Sequence, residues 1–147
     1  MIHDPQHTIS EIRVIAPHGL QLRFADGVVF DVDLDSVIRA HQALAALSDP
    51  AVFANAHIDA RGGYVVWVPD DLEIAADNLR NIAIEQAGGI GHERMLNWIA
   101  EHGLTQARAA NAIGISRRML NYYLSGAKPI PKTVWLACVG WASSVAA

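Results

Sequence analysis

Residues 104–126 read Leu-Thr-Gln-Ala-Arg-Ala-Ala-Asn-Ala-Ile-Gly-Ile-Ser-Arg-Arg-Met-Leu-Asn-Tyr-Tyr-Leu-Ser-Gly. The fold of the C-terminal part of the chain turns on these residues. Thr105 is placed to cap a helix starting at Gln106, and Ser116 to cap one starting at Arg117, because an N-cap hydroxyl accepts a first-turn N–H that has no partner inside the helix. Gly114 stands between them, where the turn needs a residue tolerant of positive φ. Ala110 supplies the small side chain that two steeply crossing helices require where they touch. Leu120, six residues past Gly114, can plug the corner. Around this core the 3.6-residue periodicity predicts helices over roughly 92–101, 106–113, 117–124 and 131–142.

At 100° per residue from Arg117, Leu120, Tyr123 and Leu124 point one way. Arg117, Arg118, Asn121 and Tyr122 point the other. Such a face suits a DNA major groove: an arginine fork matches guanine O6 and N7, and an asparagine amide matches adenine N6 and N7. The plainer alternative is a solvated helix face, which has no need of two arginines beside a tyrosine.

The run from Thr105 to Gly126, followed by Pro131, resembles the Cro/phage-repressor (XRE-type) helix-turn-helix DNA-binding domains, and the likeness extends over about residues 92–142. The resemblance implies that Ser116, Arg117, Arg118 and Tyr122 sit where bases are read, with Asn121 on the same face. It also implies that Gln106 and Lys132 contact phosphate and that Lys128 adds a further backbone contact. Pro131 is a favoured first helical residue, so Lys132 would lie at a helix N-terminus, where phosphate is attracted. One position departs from the family pattern: Ala109 stands where a larger apolar residue is usual, leaving space for Trp98 or Trp135. Helix-turn-helix units also occur as plain packing motifs, and that reading stays open.

The charge distribution points the same way. The whole chain of 147 residues carries −4, yet residues 1–87 hold five basic and 13 acidic side chains, a balance of −8. Residues 88–147 hold six basic against two acidic, a balance of +4. An acidic half joined to a basic half is expected when only one of them meets phosphate.

The first half reads as strands and helices. Thr8–Ile15 is a mixed apolar run ended by Pro17-His18-Gly19. Leu20, Leu22 and Phe24 alternate with polar residues, Ala25-Asp26-Gly27 makes a tight turn, and Phe30, Val32 and Leu34 return on one face with Asp31, Asp33 and Asp35 on the other. Ser36 is read as the cap of a helix through Val37, Ile38, Ala40, Leu44 and Leu47, stopped by Asp49-Pro50. Residues 50–54 are read as a short helical turn. His57–Ala60 and Tyr64–Val68 form two more strands, and Pro69-Asp70-Asp71 opens a last helix with Leu72, Ala75, Ala76, Leu79, Ile82 and Ala83 inward. Gly88, Gly89 and Gly91 form the linker. Phe24-x-Asp26-Gly27, Val32-Asp33-Leu34, Leu47-x-Asp49-Pro50-x-x-Phe53, Trp67 and Asp71-Leu72 resemble a small bacterial domain family of unknown function. Its members occur alone or ahead of a helix-turn-helix, and some are antitoxin-like, which implies protein contact.

Other chemistry finds little support. An EF-hand loop counted from Asp31 would need Gly and Glu where Ser36 and Gln42 stand. The seven histidines (3, 7, 18, 41, 57, 92 and 102) are scattered; His3 and His7 have helical spacing, but Pro5 lies between them. Gly88–Gly91 lacks the lysine of a phosphate loop. Ser10, Ser36 and Ser48 lack a nucleophile elbow, and the single Cys138 excludes an internal disulfide and reads as a buried thiol. No N-terminal stretch reads as a signal peptide, and the apolar tail Thr133–Ala147 is too short for a membrane span.

The expectations are therefore an α+β N-terminal domain over 1–87, an antiparallel hairpin or meander with two helices, and an all-α repressor-like helix-turn-helix domain over 92–147. They describe a cytoplasmic, non-enzymatic transcriptional repressor that binds double-stranded DNA as a homodimer without cofactor or metal. The competing expectation is an antitoxin-like interaction module whose acidic domain binds a small basic protein, with DNA binding absent or only autoregulatory.

Overall fold

The computed structural model describes residues 4–146, so His3 of the paired-histidine spacing lies outside the described residues. The chain divides into two compact units, Met1–Gln86 and Ala87–Ala147.

The first unit is mixed α/β with two three-stranded antiparallel sheets. In the first sheet β1 (Ile9–Ile15), β2 (Gly19–Phe24) and β3 (Val29–Asp33) lie in sequence order. Leu22 pairs with Phe30 and Leu20 with Val32, so the alternating apolar residues of both strands share one face. Leu20, Leu22, Phe24, Val32 and Leu34 are buried, whereas Asp31 and Asp33 stay exposed. The second sheet joins β4 (His57–Ile58), β5 (Tyr64–Val68) and β6 (Leu72–Ala75). Leu47, Phe53, Val65 and Leu79 complete the core, and the Trp67 indole donates to the Phe53 carbonyl at 2.9 Å.

Several expectations need correction here. The helix expected behind Ser36 is broken: α1 spans only Asp35–Ala40, and a separate 3-10 segment runs Gln42–Ser48 after the extended His41. Ser36 does not cap it, because the helix starts at Asp35, two residues earlier than a cap at Ser36 would place it, where the Asp33 carboxylate accepts the Asp35 N–H at 2.9 Å. Asp35 is thus helical rather than part of the strand face. Further on, Asp49 caps the short α2 (Pro50–Phe53) by accepting the Ala51 N–H, and β4 ends at Ile58 because Asp59 turns the chain by accepting the Tyr64 N–H. Last, Pro69-Asp70-Asp71 opens no helix. Asp70 takes φ 62° and reverses the chain into β6, where Val65 pairs with Ile74 and Val66 with Glu73, so helix α3 starts at Ala76 and ends at Gln86.

Gly62 holds the turn between β4 and β5 against β1. Its φ is +74°, and an added Cβ would meet the Ile9 carbonyl oxygen at 2.5 Å and the Ile9 nitrogen at 3.1 Å. Its own carbonyl accepts the Ile9 N–H at 2.8 Å. Gly62→Ala is expected to cost about 3 kcal/mol, from left-handed strain of about 1–2 kcal/mol plus a backbone collision that no side-chain rotamer relieves. Gly114→Ala also carries φ +74° but meets nothing within 4 Å, so its expected cost is about 1 kcal/mol. Urea unfolding of the two variants side by side checks the difference.

The second unit is helical: α4 (His92–Glu101), α5 (Gln106–Ile113), α6 (Arg117–Leu124) and α7 (Lys132–Ala146). The last helix runs four residues past the expected end at 142. Met95, Trp98, Ala109, Ala110, Leu120, Tyr123, Ile130 and Cys138 form its core, with Trp135 and Trp141 packed against it. Ala109 is fully buried in this cluster, which also holds Trp98; Trp98 and Trp141 meet edge to face at 5.5 Å. Burial pushes the Cys138 thiol up to about 11. Among the described residues no helix is long and apolar enough to cross a membrane.

Candidate functional site

Local hydrogen bonding sets the approach of α5 and α6. Thr105 Oγ1 accepts the Arg108 N–H at 3.1 Å, and Ser116 Oγ accepts the Met119 N–H at 3.0 Å. Between the two caps Gly114 adopts φ 74°, ψ 30°, and the Ile115 N–H returns to the Ala110 carbonyl at 3.0 Å. Both caps and the left-handed glycine stand at the positions expected from the sequence. Leu120 is completely buried and Tyr123 nearly so, which fixes the face that α6 turns outward.

On that outward face Ser116, Arg117, Arg118 and Asn121 are exposed. The Ser116 hydroxyl is already engaged as the cap. Tyr122 departs from expectation: it is half-buried and not a free surface ring. Its hydroxyl accepts a hydrogen bond from Arg118 Nε at 3.1 Å, and the Lys128 ammonium sits 4.5 Å from the ring centroid. The Lys128 N–H also donates to the Tyr122 carbonyl at 3.2 Å, which folds the chain after α6 back onto the helix.

Gln106 and Lys132 are exposed at the first positions of α5 and α7, where unpaired backbone N–H groups and the helix dipole favour an anion. The structure therefore brings Arg118, Tyr122 and Lys128 together, keeps Arg117 and Asn121 on the same helix face, and sets Gln106 and Lys132 at two helix starts. Two further cations escaped the sequence reading. Arg108 is exposed in α5, and the Arg94 guanidinium lies 5.2 Å from the Trp135 ring centroid beside a recess of about 290 Å³ that Lys132 also lines. Trp135 lies 41 residues further along the chain, so no local pattern announces that stack.

The electrostatics of this unit are one-sided. From residue 102 to 147 the chain has no acidic side chain and five cations, Arg108, Arg117, Arg118, Lys128 and Lys132. The first unit has the opposite character. A recess of about 600 Å³ there is lined by His18, Asp31, Asp33, Asp35 and Gln86, among others. Its carboxylates are engaged within the fold: Asp31 accepts from Gln21, Asp33 from the Asp35 N–H, and Asp35 pairs with Arg39 at 2.7 Å and His18 at 3.2 Å. Among the described residues no three His, Cys, Asp or Glu side chains converge as a metal-ligand set.

Residues 9–85 match the family described as "Protein of unknown function (DUF2442)", so the match stops short of the helical unit. No curated protein matches the chain. Among solved structures, the crystal structure of a "putative DNA binding protein" from Nitrosomonas europaea is similar at 38% identity and a TM-score of 0.83, covering 91% of this chain and 85% of that one.

Proposed function

The chain belongs to this family of proteins of unknown function, and on that premise we propose that it binds DNA sequence-specifically through a helix-turn-helix of Cro/phage-repressor type formed by α5 and α6, and represses transcription. One observation carries the reading. A capped helix, pinned by buried Leu120, presents Arg117, Arg118 and Asn121 outward from a stretch of chain that contains no acidic residue. The name of the similar protein supports it. In this reading α6 enters the major groove, its arginines and Asn121 meet base edges, and Gln106, Lys128 and Lys132 anchor phosphates. The chemistry is binding, with no catalytic residue, cofactor or metal.

One such helix spans only a few base pairs, so the reading includes a homodimer on half-sites one helical turn apart, about 34 Å. The acidic unit, repelled by phosphate, faces away from the duplex. The competing reading, an antitoxin-like module that binds a small basic protein through the acidic unit, draws on the recess at Asp31 and Asp33. It is the weaker one, since those carboxylates already have partners within the fold.

Fluorescence anisotropy against the protein's own upstream DNA and a scrambled duplex, at two salt concentrations, tests the proposal. Two anchoring lysines per copy, four per homodimer, predict a log–log salt slope of about −3.6 at −0.9 per neutralised phosphate. Tight binding to one duplex with a slope near that value is the expected result. Absence of binding to either duplex at low salt overturns it and leaves α5 and α6 as a packing motif.

A further inference from the structure

Arg118, Tyr122 and Lys128 form a connected assembly across α6 and the turn that follows it. Arg118 and Tyr122 are four residues apart and so share one side of α6. The Arg118 Nε donates to the Tyr122 hydroxyl at 3.1 Å, and the guanidinium carbon lies 5.8 Å from the ring centroid. Lys128 Nζ sits 4.5 Å from the same centroid, and its backbone N–H is tied to the Tyr122 carbonyl. The ring is thereby held by two cations, and Tyr122 is half-buried while Arg118 is exposed. Arg117, the neighbouring candidate, makes no side-chain hydrogen bond, ion pair or ring contact with any described residue.

A guanidinium has five N–H donors in a planar fork. With Nε committed to Tyr122, the side-on pair formed by Nε and one terminal nitrogen is no longer available. What remains is the end-on pair formed by the two terminal nitrogens, directed away from the tyrosine hydroxyl. Two parallel donors match the O6 and N7 acceptors of guanine in the major groove and no other single base edge there. Because the fork is fixed before binding, Arg118 gives up less side-chain freedom on meeting a base than Arg117 does.

Resting on the DNA-binding reading, we infer that Arg118 reads one guanine end-on, that Tyr122 is its positioning residue and not itself a base reader, and that Lys128 steadies the ring through its own cation–π contact. This division assigns the base preference of α6 chiefly to Arg118. Arg117 adapts to whichever acceptor lies near it.

The test is a selection of binding duplexes from a randomised pool by the full chain and by Tyr122→Phe, followed by anisotropy on the selected duplex and on a random one. Tyr122→Phe keeps the ring and both cation contacts and removes only the acceptor. Affinity for the selected duplex is expected to fall about tenfold and the preference for one guanine to disappear. Affinity for the random duplex, the salt slope and the melting temperature should stay as in the parent, which a merely structural role for Tyr122 would not allow. Arg118→Lys, which has charge but no fork, is expected to lose the same guanine. The Arg118 Nε–H signal in NMR should exchange faster with water in Tyr122→Phe. If Tyr122→Phe selects the same sequence as the parent, this inference falls and the DNA-binding reading stands; if the parent enriches no sequence at all, both fall.

Discussion

Arg117→Ala combined with Arg118→Ala is expected to abolish discrimination between an operator and unrelated DNA, weakening operator affinity by about 100-fold or more while leaving the fold intact. A well-made arginine–guanine pairing discriminates by about 1–3 kcal/mol, so losing the Arg118 pairing from both copies of a homodimer is worth about 2–6 kcal/mol, between about 30-fold and 20,000-fold at about 1.4 kcal/mol for each tenfold. The fold is spared because both side chains are exposed, and neither contributes to the core around Leu120 and Tyr123. Arg118 does lose its bond to Tyr122, but a surface interaction of this type is worth only about 1 kcal/mol at most.

The residual binding of that variant is as informative as the loss. Gln106, Lys128 and Lys132 remain, so weak sequence-independent binding should persist with a salt slope close to that of the parent protein, because base contacts specify and phosphate contacts position. Anisotropy with operator and scrambled duplexes separates the two contributions. Equal operator affinity in parent and double variant would remove α6 as the reading element. Retained capture of a basic protein partner with no DNA binding by the parent would favour the competing reading.

The candidate site is legible in the sequence where its determinants are local. Thr105, Gly114 and Ser116 each act within four residues of themselves, through a cap or a left-handed turn, and the structure finds all three in those roles. Tyr122 is not legible in this way, because a helical wheel locates a side chain but carries no information on Lys128, which returns over the ring only through the turn at 125–128. The first unit shows the same divide. The β2–β3 hairpin follows from period-2 alternation across Asp26-Gly27. In contrast, β6 has only Leu72 and Ile74 as inward residues, and its continuation through Ala76, Leu79 and Ala83 carries a helical period, so the local pattern favours one helix. Pairing with β5 overrides it, a tertiary contribution that a short strand's propensity cannot reveal. Ser36 loses its expected role in a comparable way: the helix starts at Asp35, where the Asp33 carboxylate accepts the Asp35 N–H, so Ser36 lies inside it.

Arg80 marks the limit of sequence reading and carries the largest stability effect expected in the first unit. In the sequence it is one basic residue among five in an acidic half, and in the structure it is 7% exposed. Its terminal nitrogens reach Asp26 at 2.8 and 3.2 Å and the Gln6 carbonyl at 3.1 Å, and its guanidinium carbon lies 5.0 and 5.5 Å from the Phe24 and Phe30 ring centroids. It thus ties α3 to the hairpin turn 54 residues earlier and to the N-terminal segment. Arg80→Ala should destabilise the protein by about 3–5 kcal/mol, since it opens a cavity between two rings and strips the partner from Asp26. Asp26→Asn should cost less than Arg80→Ala: the amide oxygen still accepts one bond, the Gln6 carbonyl remains, and Asp26 is itself 25% exposed. Arg80→Met should fall between Arg80→Ala and Asp26→Asn, because an apolar chain of similar length keeps the packing on Phe24 and Phe30 but, like alanine, removes the donor to Asp26 and to the Gln6 carbonyl. Urea denaturation of the three variants gives the order directly. An Arg80→Met variant as unstable as Arg80→Ala would show that the charge itself, rather than the volume between the rings, holds α3 against the hairpin.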